Sequence, residues 1–165
     1  MPSTYTANNG IEKIGIGEQS ETWGDTTNLN LDFIDTSLDG AVTLTLSAST
    51  YNLSMVDGVA SDARNRILIL GGTPPAPVTV TVLPNDMEKY YFVINGSGQT
   101  VTFAQGASPG ATVDILDGDS VMIRCEGAGV GSDVTVVDLT SIHTNQIDPH
   151  TTYYMSPTIR TGNQL

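Results

Sequence analysis

The chain has 165 residues, the size of one domain with room for extended ends. Its 18 acidic and 6 basic residues give a net charge of −12, which excludes a general binder of nucleic-acid backbones and argues against docking on an anionic membrane. Hydrophobic residues at 39% against 15% charged allow a buried core, so the chain is expected to be a soluble globular protein.

The single cysteine, Cys125, excludes an internal disulfide, and no Cys/His spacing marks a structural zinc site. The start, MPSTYTANNG, has neither a basic region nor an apolar core, so no signal peptide is expected and cytoplasmic synthesis is the default. The longest apolar run, in RILILGG, falls far short of the roughly 20 residues of a membrane helix.

Residues 1–30 read as an N-terminal arm rich in Thr, Asn, Gly and Glu, with Ile11, Ile14, Ile16 and Trp23 spread thinly. So few apolar groups cannot offset the entropy of ordering, and the arm needs a surface to lie on. From Asn28 to Leu38, Leu31, Ile34 and Leu38 recur at helical spacing before Gly40, which predicts a short helix.

The period then changes to 2. AVTLTLSAST, YNLSMVD, RNRILILGG, APVTVTVLP, KYYFVINGSG, QTVTFAQG, ATVDILDGD, SVMIRCEGAG and SDVTVVDLT each predict a strand, most of them bounded by Gly, Pro, Asn or Asp. About eight or nine short strands and one short helix over residues 31–140 predict an all-β domain, an antiparallel sandwich or barrel-like fold. INGSG and LDGDS read as hairpin turns and make the second half an antiparallel meander. Pro74, Pro75 and Pro77 mark an edge or entry loop, and a boundary between sheets.

Residues 141–165 lose alternation yet keep Ile142, Ile147, Tyr153, Tyr154, Met155 and Ile159, which predicts an extended tail that crosses another subunit and buries those side chains there. Asp148 and Arg160 balance in the tail, whereas residues 31–140 carry 13 acidic and 4 basic residues. Neutral arms on an acidic body suit docking through the ends. The candidate partner-binding residues are therefore Trp23, Ile14 and Ile16 in the arm and those six in the tail. Trp23 reads as an anchor onto the body or a neighbour.

Residues that carry chemistry are few. His143 and His150 read as polar side chains of the tail, and Cys125 as facing the core, because a nucleophilic thiol needs an electropositive setting. Asp114, Asp117 and Asp119 around Gly118 read as turn residues without the ligand order of an EF-hand. GGTPPAP and CEGAGVGSD lack the GK[ST] and helix of a phosphate loop, so no cofactor is expected. Arg64 and Arg66, with Asp62 nearby, read as an ion pair within or between subunits.

Thr22-Trp23-Gly24, then Thr27-Asn28 and a short helix, then Ala63-Arg64-Asn65, then Lys89, Tyr91, Phe92, Val93 and Asn95 form a pattern that resembles a module of tailed-bacteriophage virions, over roughly residues 15–130. The resemblance implies a virion structural protein without enzymatic activity. Fibre proteins are usually longer and carry a receptor-binding end, so a single module with arms points to a capsid decoration or cement protein on the outer capsid surface. Its implied partners are the major capsid protein and copies of itself, as a homotrimer. A tail-fibre, head-fibre or spike component is the alternative, with Tyr90 or Tyr153 lining an exposed glycan groove. A carbohydrate-active enzyme is the third reading; it needs two carboxylates about 5–10 Å apart in a cleft, for which so small a domain has little room.

Overall fold

The computed structural model describes residues 2–137. An N-terminal hairpin of two-residue strands, β1 (Thr4–Tyr5) and β2 (Glu12–Lys13), precedes helix α1 (Trp23–Asp39). The helix begins five residues before the predicted Asn28, with Asp25 in its first turn where a carboxylate meets the positive end of the helix dipole. Gly40 stops it, donating its N–H to Thr36 O, and the chain turns at once into the first long strand.

Nine strands follow, one for each predicted segment: β3 (Ala41–Leu46), β4 (Thr50–Ser54), β5 (Ile67–Gly72), β6 (Val78–Leu83), β7 (Lys89–Asn95), β8 (Val101–Gln105), β9 (Val113–Ile115), β10 (Ser120–Cys125) and β11 (Val134–Val136). A 3-10 turn, Asp62–Arg64, leads into β5. The described chain is mostly β with one short helix.

The pairing differs from the antiparallel sandwich or barrel expected. The strands form two open sheets, a five-stranded one in the order β11-β10-β7-β5-β3 and a four-stranded one in the order β4-β6-β8-β9. β3, β5 and β7 are parallel to one another, as are β4, β6 and β8; in these two sheets the antiparallel pairs are β7–β10, β10–β11 and β8–β9. The chain therefore winds from one sheet to the other and back, placing Ala41 beside Ile67 and Ile67 beside Phe92, offsets of 26 and 25 residues. In the other sheet Thr50 lies beside Thr79 and Val78 beside Val101, offsets of 29 and 23.

Alternation identifies a strand but not its partner, and this is where the meander prediction fails. INGSG leads from β7 to β8 and LDGDS from β9 to β10, each pair lying in different sheets, so both turns are corners of the winding. They meet: Gly118 N–H donates to Asn95 O (2.7 Å) and Gly98 N–H to Asp117 Oδ1 (2.8 Å). Gly118, at φ +84°, holds a backbone that L side chains seldom adopt. The proline segment does carry the chain between sheets, from β5 to β6.

Side chains that point between the sheets stack in ladders from coil to coil: Val42–Leu68–Val93–Val121 and Leu44–Leu70–Asn95 in one sheet, Tyr51–Val80–Phe103–Val113 and Leu53–Val82–Gln105 in the other. Most are fully buried, and Cys125 lies in the same core as predicted. In the third coil two ladders end in a buried amide. Asn95 Nδ2 donates to Gln99 O (2.8 Å) and Ile115 O (2.9 Å), and its Oδ1 accepts from Ser97 N–H and Oγ. Gln105 Nε2 donates to Met87 O (2.7 Å), and its Oε1 accepts from Gly127 N–H and Ser132 Oγ. The amides thus join the parallel coils to the antiparallel strands that close them.

Candidate functional site

A hub of buried polar groups pins the N-terminal segment to the coils. Arg64 is 1% exposed, and its guanidinium lies 3.7 Å from the centroid of the Phe33 ring. It donates to three main-chain carbonyls: Nε to Val59 O (2.8 Å), Nη2 to Val56 O (2.7 Å), and Nη1 to Asn9 O. Within the described chain Arg64 does not pair with Asp62, the intramolecular form of the expected ion pair; Asp62 instead accepts from Tyr51 OH (3.4 Å). Carbonyls replace the carboxylate because the segment Asn8–Gly10 folds over the guanidinium, and Gly10 O accepts from Gly58 N–H. Asn30 fastens β2 to α1, its Oδ1 accepting from Glu12 N–H and its Nδ2 donating to Glu12 O. The surface that residues 1–30 need is thus supplied by their own domain.

Lys89 completes the hub, donating to Arg64 O at 2.7 Å, while Tyr91 OH donates to Ala63 O at 2.9 Å. Burial, then the neighbouring charges of Arg64 and Arg66, push the Lys89 ammonium down to about 8 from 10.5. Burial pushes the Cys125 thiol the other way, to about 12 from 9.0, which leaves it inert as a nucleophile.

These shifts set a pH profile for stability. Lys89 is held below its unfolded value, so its burial penalty is complete below pH 8 and is relieved from pH 8 to 10.5. Cys125 is held above its unfolded value, so its contribution is complete below pH 9 and is lost from pH 9 to 12. Stability is expected to rise by about 1 kcal/mol from pH 7 to 9, level off, and fall above about 10, where the buried Tyr91 phenol, held well above its ordinary value, adds to the loss. Urea melts at stepped pH check this, and in Cys125→Ala the rise is expected to continue to about pH 10.

Beside the hub, between the hairpin, α1 and the first residues of β5 and β7, lies an open cleft of about 500 Å³. Asn8, Asn9, Ser37, Arg66, Glu88 and Lys89 supply polar groups to its lining, and Ile11, Ile34, Leu38 and Tyr90 the apolar part. Arg66 lies over the Phe92 ring, 5.6 Å from its centroid.

The two outer faces of the sheets have opposite character. On the four-stranded sheet the rows read Thr50–Thr79–Thr102–Asp114 and Asn52–Thr81–Ala104, and Thr102 Oγ1 donates to Asp114 Oδ1 at 2.6 Å. On the five-stranded sheet they read Ala41–Ile67–Phe92–Met122, Thr43–Ile69–Ile94–Ser120 and Tyr90–Arg124–Thr135. Ile69, Tyr90, Phe92 and Ile94 are each about 40% exposed. Although the chain holds 18 acidic residues, no carboxylate stands in these three rows. Arg124 reaches sideways to Glu88 at the rim (2.8 Å).

Helix α1 extends this surface. Only Phe33 of the helix is buried, while Leu31, Ile34 and Leu38 form a stripe that is 57%, 42% and 54% exposed, and the last two line the cleft beside Tyr90.

Among the predicted partner-binding residues, Trp23 sits 59% exposed in the first turn of α1, so it does not anchor onto the body; Ile16 is 91% exposed and Ile14 half-buried. Ile142, Ile147, Tyr153, Tyr154, Met155 and Ile159, with His143 and His150, lie outside the described residues. The outer-face residues Ile67, Ile69, Phe92, Ile94 and Met122 escaped the sequence reading. A signal existed: RILIL and YYFVI are apolar at both parities, unlike VTLTL and VTVTV, and a strand of that kind asks for cover on two faces.

Asp114 and Asp117 bond within the fold, and no cluster of three or more potential metal ligands occurs among the described residues. No described helix is long and apolar enough to cross a membrane. Comparison with protein-family models, with curated proteins and with solved structures finds no match to this chain.

Proposed function

We propose that this chain is a non-enzymatic structural protein of a virion, a decoration or cement protein that bridges major capsid subunits and assembles as a homotrimer on the outer capsid surface. The observation that carries the assembly part is the outer face of the five-stranded sheet, apolar and free of carboxylates in a chain of net charge −12. Such a face calls for cover, while the acidic remainder keeps unassembled subunits apart.

Several of the residues that carry the resemblance support the module reading, because they hold the fold together. Lys89 and Tyr91 bond the backbone of Arg64 and Ala63, and Asn95 ties the third coil to its closing strands. A pattern of this kind specifies a fold, and the function rests on the surface that the fold presents. The cleft lined by Tyr90, Arg66, Asn8 and Asn9 favours the second reading, a fibre or spike component that binds host-surface glycan through an aromatic and amide-lined groove.

Quantitative mass spectrometry of purified particles, with the major capsid protein as reference, tests both. A copy number near that of the capsid protein is the expected result; a few to a few dozen copies would favour the fibre or spike, and absence from particles would overturn the virion reading.

A further inference from the structure

We propose that the outer face of the five-stranded sheet is covered by a second copy of this chain. The inference moves the contact of the proposed assembly from the arms to the body and, as a contact of one face with its copy, predicts a two-fold dimer where the proposed function has a trimer; it stands whether or not the assembly belongs to a virion.

Three observations favour this occupant. The first is charge. Two chains of −12 repel wherever their carboxylates face each other; none of the outward positions of β3, β5, β7, β10 and β11 carries one, so the sheet is the part of the surface that two copies can bring together, while Asp32, Asp35 and Asp39 of α1 stay at its edge. Arg66 and Arg124 stand on or beside the face, so two copies meeting here approach along the direction of least repulsion.

The second is area. Four strands about 4.8 Å apart and six residues long present about 400 Å². The exposed stripe from Leu31 to Leu38 continues that surface across the cleft and, over about 12 Å of helix, adds about 120 Å². Two copies would bury about 1,000 Å² in total, the least that a specific interface needs.

The third is chemistry. The centre of the face is aliphatic and aromatic, in Ile69, Phe92 and Ile94, and its margins are Thr43, Ser120 and the Arg124–Glu88 pair. An apolar centre with a polar rim is the anatomy of a protein–protein contact. The threonine rows of the opposite sheet show what an outer face of this fold looks like when water covers it.

The test is the solution mass of the full chain by sedimentation equilibrium and light scattering at physiological salt. The wild type is expected to run as a multiple of 17.4 kDa. Phe92→Asp and Ile94→Asp are expected to weaken association at least 100-fold and to return the 17.4 kDa chain, while Thr81→Asp on the opposite face leaves the mass unchanged. Circular dichroism confirms that each variant is folded. Hydroxyl-radical footprinting of Tyr90, Phe92 and Met122 in the wild type supplies a readout without substitution, with protection expected to disappear on dilution.

A wild type monomeric at all concentrations, or an oligomer that both aspartate variants retain, would overturn the proposal. Protection that persists in a monomer would assign the face to residues 138–165 of the same chain and overturn it equally. Absence of the protein from particles bears on the virion reading alone.

Discussion

Arg64→Ala is expected to lower the free energy of unfolding by about 4 kcal/mol, a large part of the 5–15 kcal/mol that holds a typical domain together. The substitution removes the donor that bridges Asn9 O, Val56 O and Val59 O, leaving Val56 O with Val59 N–H alone and the other two carbonyls without this partner beneath the N-terminal segment. It also removes the cation stacked on Phe33, the single buried residue of α1, so hairpin and helix each lose one of their attachments to the coils. Arg64→Lys is expected to recover less than half of the loss, since an ammonium cannot present three donors in a plane while stacking on a ring.

Chemical denaturation measures the loss, and a second signal identifies its source. The Arg64 charge is one of the causes that depress Lys89, so in Arg64→Ala the Lys89 ammonium is expected to titrate above its wild-type value of about 8. A loss below 1 kcal/mol, or an unmoved Lys89, would mean that the guanidinium is not what binds the N-terminal segment to the coils.

Asn95→Leu is expected to cost about 3 kcal/mol even though it makes the core more apolar. Leucine is the residue of the two preceding steps of this ladder, Leu44 and Leu70, and its volume suits the position. The amide nevertheless makes four hydrogen bonds at a site 1% exposed to solvent. Without it Gln99 O, Ile115 O and Ser97 N–H stay buried without that partner.

The effect is expected to be local as well as global. Ile115 ends β9, so amide exchange over residues 113–136 is expected to quicken in the variant more than exchange in β3 to β6. A variant as stable as the wild type would show that the ladder tolerates an apolar third step and that the closing strands are held by pairing alone.

Local structure was legible in the sequence to a greater degree than topology. Each of the nine period-2 segments is a strand, because alternation of Val, Leu and Ile with Thr reports one buried and one wet face. The helix was legible from Leu31, Ile34 and Leu38, although that stripe turned out to face away from the core, with Phe33 the residue held inside. Helical spacing reports that a stripe exists and not which body covers it.

Sheet partners were hidden for a related reason. Gly98 and Gly118 supply the positive φ that a hairpin or a corner between sheets requires equally, so the turns could not decide between them. The hub was hidden by distance along the chain: Asn9, Phe33, Arg64 and Lys89 carry no local pattern, and Asp62 was the nearer partner for Arg64 in sequence but not in space. The apolar outer face was readable in RILIL and YYFVI, had strands with two apolar parities been separated from those with one.

The winding also gives this domain a natural unit of growth. One added residue inside β5 would turn every later side chain of that strand over and spill the ladder into water, whereas an insertion of one full turn, some 23–29 residues, would add a step and keep every face as it was. The spread between those offsets falls at the corners, where length is free to vary. The domain can therefore be lengthened, shortened or grafted turn by turn, with each new turn enlarging the two outer faces in proportion.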